Sequence, residues 1–350
     1  MRPLGVAALE DKIVQAAVVQ VLNAVYEEDF LGFSYGFRPG RGQHDGLDAL
    51  WVGLMGKKVN WVLDADIQGF FDTISHEWLL RFLEHRVADR RILRLIQKWL
   101  RAGFSEDGQW AKTEVGTPQG SVISPLLANV YLHYVLDLWV QQWRKRHSKG
   151  DVIVVRYADD FVMGFQHREE AGQFLLELQG RMQQFGLTLH PGKTRLIEFG
   201  RFAAENRHRR GQGKPETFDF LGLTHICGRK KETGGFIVKR KTSTKRLRAA
   251  IQKVKVVLLR NRHHPVAQQG HWLGQVVRGY FNYHALPGNA AALETFRREV
   301  VRAWLHALRR RSQRSRLTWS RFVHLVDVWL PRPKILHPYP NVRFFAMHPR

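Results

Sequence analysis

Apolar residues recur along the chain at two spacings, and the changes between them mark its elements. After Ser124 and Pro125, the residues Leu127, Val130, Tyr131, Tyr134, Val135 and Leu138 return at three- and four-residue steps. That is the stripe of a core helix, with a serine suited to its cap and a proline to its first turn. Ile13–Val25, Glu77–Phe82, Ile92–Leu100 and Ala171–Phe185 share this period, the last closed by Gly186. Shorter runs rich in β-branched, aromatic or alternating residues predict strands at Asn60–Ile67, Val152–Tyr157, Phe161–Phe165, Leu187–Leu189 and Thr194–Phe199. The turn-forming pair Pro191-Gly192 separates the last two.

This order of strand, helices, hairpin, helix and strand predicts an α+β fold, with helices packed on one face of a small antiparallel sheet. It lacks the regular βαβ alternation of a doubly wound fold. Arg201–Lys214 is polar and basic and reads as an exposed loop, after which Phe218–Leu223 and Phe236–Lys239 predict a hairpin. Beyond it, Leu247, Ile251, Val254, Val257 and Leu258 form one apolar stripe. Lys245, Arg246, Arg248, Lys253, Lys255, Arg260 and Arg262 cover the other faces, so this segment predicts an amphipathic basic helix suited to phosphate groups. Two further helices, near Trp272–His284 and Ala291–Arg311, complete a helical unit. Trp272 and Tyr280 read as its core rather than as base-stacking residues.

With 350 residues, 44% of them hydrophobic, the chain can bury a core and form two or so domains. No stretch approaches the ~20 apolar residues that cross a bilayer, and no apolar N-terminal segment directs secretion. A cytoplasmic protein without a membrane partner is expected. The single cysteine, Cys227, excludes an internal disulfide and cysteine-ligated zinc. The net charge of +24 changes the picture only when divided along the chain. Residues 1–200 carry 23 Lys and Arg against 24 Asp and Glu, whereas residues 201–350 carry 32 against 7. A surface so self-repelling calls for a polyanion, and nucleic acid is the usual one.

The candidate chemistry lies in the neutral part. Strand alternation puts Asp64 and Asp66 on one face of an otherwise apolar run, Trp61-Val62-Leu63-Asp64-Ala65-Asp66-Ile67. Acids that close an apolar strand repel one another and need hydrogen-bond donors or a cation. A second acidic pair, Asp159-Asp160, stands at the tip of a hydrophobic hairpin. Mg²⁺ takes oxygen ligands and keeps part of its water, so two or three carboxylates with substrate phosphates suit it. Two such ions, with Mn²⁺ as an alternative, would activate an attacking hydroxyl and stabilise a leaving oxygen in phosphoryl transfer. Between these elements, Gly116-Thr117-Pro118-Gln119-Gly120-Ser121 combines backbone freedom with an amide, which fits a flat ligand or a simple turn. Asp72 reads as a helix cap.

These residues resemble a known family. Ser34-Tyr35-Gly36-Phe37-Arg38-Pro39-Gly40-Arg41-Gly42, Asp66-Ile67-Gln68-Gly69-Phe70-Phe71-Asp72, Gly116-Thr117-Pro118-Gln119-Gly120, Tyr157-Ala158-Asp159-Asp160 and Phe220-Leu221-Gly222-Leu223 follow the order of a group II intron reverse transcriptase. Arg278-Gly279-Tyr280-Phe281-Asn282-Tyr283 resembles its maturase-specific thumb.

The resemblance implies a right-hand polymerase: partial fingers over 1–58, a palm over 59–240, a helical thumb and maturase domain over 241–330, and a basic, proline-rich tail over 331–350. It implies an RNA-directed DNA polymerase that also binds its intron RNA for splicing. The alternative is an RNA-binding maturase that uses the palm as a scaffold. Partners would be an RNA template or intron RNA, a DNA or RNA primer and deoxynucleoside triphosphates. Asp66, Asp159 and Asp160 match the metal-binding acids, and Asp64 becomes a neighbour. Phe71 matches the aromatic gate against a ribose 2′-hydroxyl, Gln119 the nucleotide-pocket glutamine, Arg2 a triphosphate contact and Lys193 a lysine near the phosphates. The family's N-terminal extension and its cysteine-bearing C-terminal endonuclease have no counterpart here, so an N-terminally shortened member without an endonuclease is expected.

Overall fold

A computed structural model of the protein describes residues 8–102, 104–106, 109–111, 115–117, 120–312 and 317–348. Its contacts divide the chain into two units, Met1–Glu216 and Thr217–Arg350.

The first unit begins with α1 (Leu9–Tyr26) and α2 (Gln43–Gly56), followed by β1 (Trp61–Asp66), the short α3 (Phe70–Thr73), α4 (His76–Glu84) and α5 (Arg90–Arg101). A small ribbon, β2 (Phe104–Glu106) and β3 (Gln109–Ala111), precedes α6 (Ser124–Leu132), which widens into a π-helical turn at His133–Asp137 and resumes as α7 (Leu138–His147). Then come β4 (Val152–Tyr157), β5 (Asp160–Phe165), α8 (Arg168–Gln184), β6 (Arg195–Glu198) and α9 (Ala203–Arg209). Four of these strands form an antiparallel sheet in the order β4-β5-β1-β6.

The pleat gives the sheet two different faces. Leu63, Ala65, Val152, Val154, Phe161, Met163 and Phe165 belong to the main core with residues of α1, α4, α6 and α8. Asp64, Asp66 and Asp160 alternate onto the opposite face. That second face is not bare of helix. α2 packs against β4, and a Cβ added at Gly53 would lie 2.9 Å from Ile153 Cδ1. The expected one-sided arrangement is corrected to this extent.

Three local expectations are also corrected. Leu187–Leu189 gives only an isolated bridge, Leu189 to Ile67, because β1 turns into α3 directly afterwards and offers no further ladder. Asp72 lies inside the first turn of α3 rather than before a helix. Arg201–Lys214 contains α9, which Asn206 and Arg210 tie to Glu198 of β6.

The second unit opens with β7 (Phe218–Phe220), β8 (Leu223–Arg229) and β9 (Phe236–Thr242), a three-stranded sheet instead of the expected two-stranded hairpin. Leu221 and Gly222, at φ 49° and 79°, break the predicted first strand into a tight turn. The helices α10 (Thr244–Arg260), α11 (Val266–His284), α12 (Ala290–Arg309) and α13 (Trp319–Trp329) follow, and α14 (Pro340–Met347) lies within the expected tail. A proline in the first turn suits that last helix. Phe281, Phe296, Trp304 and Phe322 fill the core between helices, and Trp272 and Tyr280 pack against it. Tyr280 stacks on Phe296 at 3.7 Å, as a core role requires.

The sheet is bound to these helices. Asn289 accepts from Thr242 N at 2.9 Å and donates to its hydroxyl at 2.7 Å, and Tyr283 donates to Leu221 O at 2.6 Å. The division by contacts therefore falls before β7, earlier than the boundary expected after residue 240. Among the described residues, no helix is long and apolar enough to cross a membrane.

Candidate active site

The register of β1 and β5 opposes Asp66 to Asp160 at the end of the sheet. Tyr157 pairs with Asp160 across the β4–β5 hairpin, leaving Ala158 and Asp159 as its two-residue turn. Ala158 takes a positive φ of 56°. Asp66 and the adjacent pair Asp159-Asp160, remote from it in sequence, thus meet on one edge, and Asp64 lies one pleat further back, 3.3 Å from Arg195.

A buried network fixes the hairpin tip. Arg156 is fully buried and donates to Asp137 Oδ1 at 2.7 Å, to Asn129 Oδ1 at 3.1 Å and to Ala158 O at 3.0 Å. Asn129 donates in turn to Gly36 O at 2.7 Å. Asp137 reaches Arg156 from the last position of the π-helical turn. On the outer side, Tyr35 N donates to Arg156 O at 2.8 Å, and Arg156 N donates to Phe33 O at 2.9 Å. Gly36 rests on the hairpin so closely that a Cβ there would lie 2.9 Å from the Tyr157 carbonyl carbon and collide with Ala158 N. Here the glycine is needed for close approach.

Of the remaining expected residues of this unit, Phe71 and Lys193 border this edge. Phe71 is half-buried on α3 behind the buried Phe70. The start of the Gly116–Ser121 segment docks on its backbone: Thr117 N donates to Phe71 O at 2.7 Å, and Gly116 N donates to Ile74 O at 2.8 Å. His76 Nε2 also lies 2.6 Å from Gly116 O. At Gly116, φ is 86°, and a Cβ would lie 2.8 Å from Phe71 O. Lys193 follows the turn at Pro191-Gly192, and its Nζ lies 2.7 Å from Asp66 Oδ2. The backbone prepares that approach, since His190 N donates to Asp66 O at 2.8 Å. Arg2 and Gln119 lie outside the described residues.

The electrostatics follow from the crowding. The Asp160 carboxyl is pushed up to about 7, first by the surrounding protein that displaces water, then by the charges of Asp159 and Asp66, by a hydrogen bond with Asp66, and by Asp64. Its surface is nonetheless open enough for ligands to reach it. Like charges held this close are relieved by a proton or by a cation. In this arrangement Lys193 is turned onto Asp66, and no group of three or more His, Cys, Asp or Glu among the described residues converges as a metal cage. The donor chemistry, all carboxylate oxygen along one edge, fits a hard divalent cation.

In the second unit, Lys245, Arg246, Arg248, Lys253 and Arg260 are exposed on α10. Lys255 and Arg262 are half-buried, with Lys255 3.9 Å from Glu299 and Arg262 donating to His263 Nε2 at 3.1 Å.

Sequence reasoning missed Arg156, Asn129 and Asp137. The signal for Arg156 was present, a lone charge within Val152–Tyr157, but its partners come from a helix whose pattern reads as simple core.

The model of the family described as reverse transcriptase (RNA-dependent DNA polymerase) matches residues 1–225. The group II intron-encoded protein LtrA of Lactococcus lactis subsp. cremoris is 35% identical over 214 residues, covering 58% of this chain and 35% of the relative. Protein YkfC of Escherichia coli K12 is 35% identical over 191 residues, covering 47% and 50%. The nuclear intron maturase 2, mitochondrial, of Arabidopsis thaliana is 27% identical over 187 residues, covering 41% and 25%. The chain thus spans at most about half the length of these relatives. Among solved structures, telomerase from Candida albicans, with a fragment of telomeric RNA, aligns with a TM-score of 0.51 at 14% identity, covering 97% of this chain and 54% of that one. That likeness concerns the fold alone, an α+β right-hand polymerase. The chain belongs to the reverse transcriptase family.

Proposed function

We propose that the protein is an RNA-directed DNA polymerase, adding deoxynucleotides to a DNA or RNA primer on an RNA template, and that its basic second unit binds intron RNA. The observation that carries this reading is the meeting of Asp66, Asp159 and Asp160 at one sheet edge within a reverse transcriptase domain. Two Mg²⁺ ions held by these acids, with Mn²⁺ as an alternative, would supply Lewis acidity to the attacking and leaving oxygens. The chain's own residues do the rest. Asp160, whose carboxyl its surroundings raise to about 7, would be held as a carboxylate by a bound cation. Lys193, placed beside Asp66, provides a mobile positive charge for the triphosphate. Phe71, by family resemblance, would act as the aromatic gate whose ring excludes a ribose 2′-hydroxyl and so favours deoxynucleotides. Gln119 and Arg2 serve the base or sugar and the triphosphate respectively, by family resemblance.

The test is primer extension on an RNA template with Mg²⁺. Asp159→Ala is expected to abolish extension and leave RNA affinity within about two-fold, because the charge proposed to bind phosphates is the excess Lys and Arg of the second unit. Extension at the unsubstituted rate would overturn the assignment.

A second reading, an RNA-binding maturase with the palm as scaffold, is favoured by the charge of the second unit, where 27 Lys and Arg face 5 Asp and Glu. Splicing of the intron RNA by the Asp159→Ala variant separates the two activities. Undiminished splicing assigns that role to binding alone.

A further inference from the structure

Phe37 lies between two pinned residues. Gly36 is wedged against the Tyr157–Ala158 backbone. Arg38 is buried and donates to Glu27, at 2.7 Å for its closest contact, and to Leu31 O and Ser34 O at 2.8 and 2.9 Å. Phe37 itself takes φ 57°, a left-handed conformation that a bulky side chain rarely adopts. Its ring is 46% exposed, so burial does not compensate for the backbone strain. Strain of this kind persists where the surroundings impose it, and it clusters at functional sites.

The direction of the ring supplies the function. Phe37 meets Phe71 edge-on, with centroids 6.5 Å apart and planes at 75°, and meets Tyr157 at 6.4 Å and 47°. Phe71 is itself 5.4 Å from Phe70, in a T-shaped contact. The ring read as the sugar gate is therefore held on one side by a buried aromatic of its own helix and on the other by Phe37. An edge-to-face neighbour restricts the rotamers open to a half-exposed ring. This matters because a gate that yields admits the extra hydroxyl at little cost. Discrimination against one added hydroxyl is small unless the wall is rigid.

We infer that Phe37 is a specificity-determining residue, which braces the Phe71 ring and so sets the preference for deoxyribose over ribose. The inference rests on the reading of Phe71 as the gate. It also couples the gate to the acids, because the loop that carries Phe37 is clamped to the hairpin that carries Asp159 and Asp160.

The experiment uses the full chain on an RNA template with a chain-terminated primer and compares affinities for incoming dUTP and UTP, which differ only at the 2′ position, with single-turnover incorporation on an extendable primer as a second readout. Phe37→Ala, Phe37→Tyr, Phe71→Ala and the double Phe37→Ala/Phe71→Ala are compared with the unsubstituted protein. Phe37→Ala is expected to lower the dUTP-to-UTP preference by about ten-fold, in the range a single lost pocket contact gives. Phe37→Tyr should retain the preference, and the double variant should discriminate no worse than Phe71→Ala alone. A residue that merely stabilised the loop would weaken both nucleotides equally and leave the ratio unmoved, which overturns the inference. Strict additivity in the double variant also overturns it, since Phe37 would then act independently of Phe71. If Phe71→Ala relaxes selection and Phe37→Ala does not, the bracing role fails and the gate stands. Unchanged selection in Phe71→Ala, or no selection in the unsubstituted chain, removes both.

Discussion

His225 is a fully buried histidine, and neither ring nitrogen has a side-chain hydrogen-bond partner among the described residues. Its ring stacks on Phe218 at 4.8 Å with planes 6° apart. Burial above all, and then the charge of Arg240, push its pKa down from 6.5 to about 3. Between these values the unfolded chain binds a proton that the folded chain refuses. This contribution to stability is complete above pH 6.5 and is lost as the pH falls towards 3. At pH 5 the loss is about 2 kcal/mol relative to pH 7.5, from roughly 1.4 kcal/mol per pH unit. Urea unfolding at the two pH values should show that decline in the native protein and a smaller one in His225→Phe, which keeps the stacking and removes the titration. Equal declines would exclude His225 as the source. The strands predicted from sequence, Phe218–Leu223 and Phe236–Lys239, leave this residue out, and its burial in β8 depends on partners that fold around it. The acids were easier to read, because a carboxylate ending an apolar strand conflicts with its surroundings in the sequence itself.

At the scale of elements, the β4–β5 hairpin depends on a change of helical period. The apolar spacing from Leu127 to Leu138 predicts one continuous helix, and the chain does run as one, but the turn at His133–Asp137 is π-helical. Such turns recur at functional sites. Here the turn carries Asp137, fully buried, to the Arg156 guanidinium. The widening could not be read from periodicity, since the apolar residues on either side keep facing the core. Removing one partner leaves an unpaired buried charge, so Arg156→Met should cost about 3–5 kcal/mol. Arg156→Met/Asp137→Leu removes both charges and should recover a large part of that loss, as measured by denaturant unfolding. Primer extension should stay depressed in the double variant, because Ala158 O has also lost its donor. A double variant as unstable as the sum of its parts would show that the network acts through packing instead of charge.

Over the whole molecule, charge and architecture divide at nearly the same place. The near-neutral composition of residues 1–200 gives way to excess Lys and Arg afterwards, and the contact boundary falls at Glu216 and Thr217. The charge alone located the change but could not assign the three strands that follow, whose attachment to the helices rests on Asn289 and Tyr283. Binding of RNA by such a surface releases counterions, so the logarithm of the association constant should fall linearly with the logarithm of salt concentration, by roughly 0.7 to 0.9 for each phosphate neutralised. The exposed Lys245, Arg248 and Lys253 should therefore each lower the slope by about that amount when changed to glutamine, with similar losses across RNA sequences. Lys255→Gln should lower it less, because Glu299 lies 3.9 Å from its ammonium and already offsets part of its charge. Filter-binding titrations between low and moderate salt measure these slopes. If all four variants kept the native slope, RNA would have to bind away from α10, and the excess charge of that helix would be left without a partner.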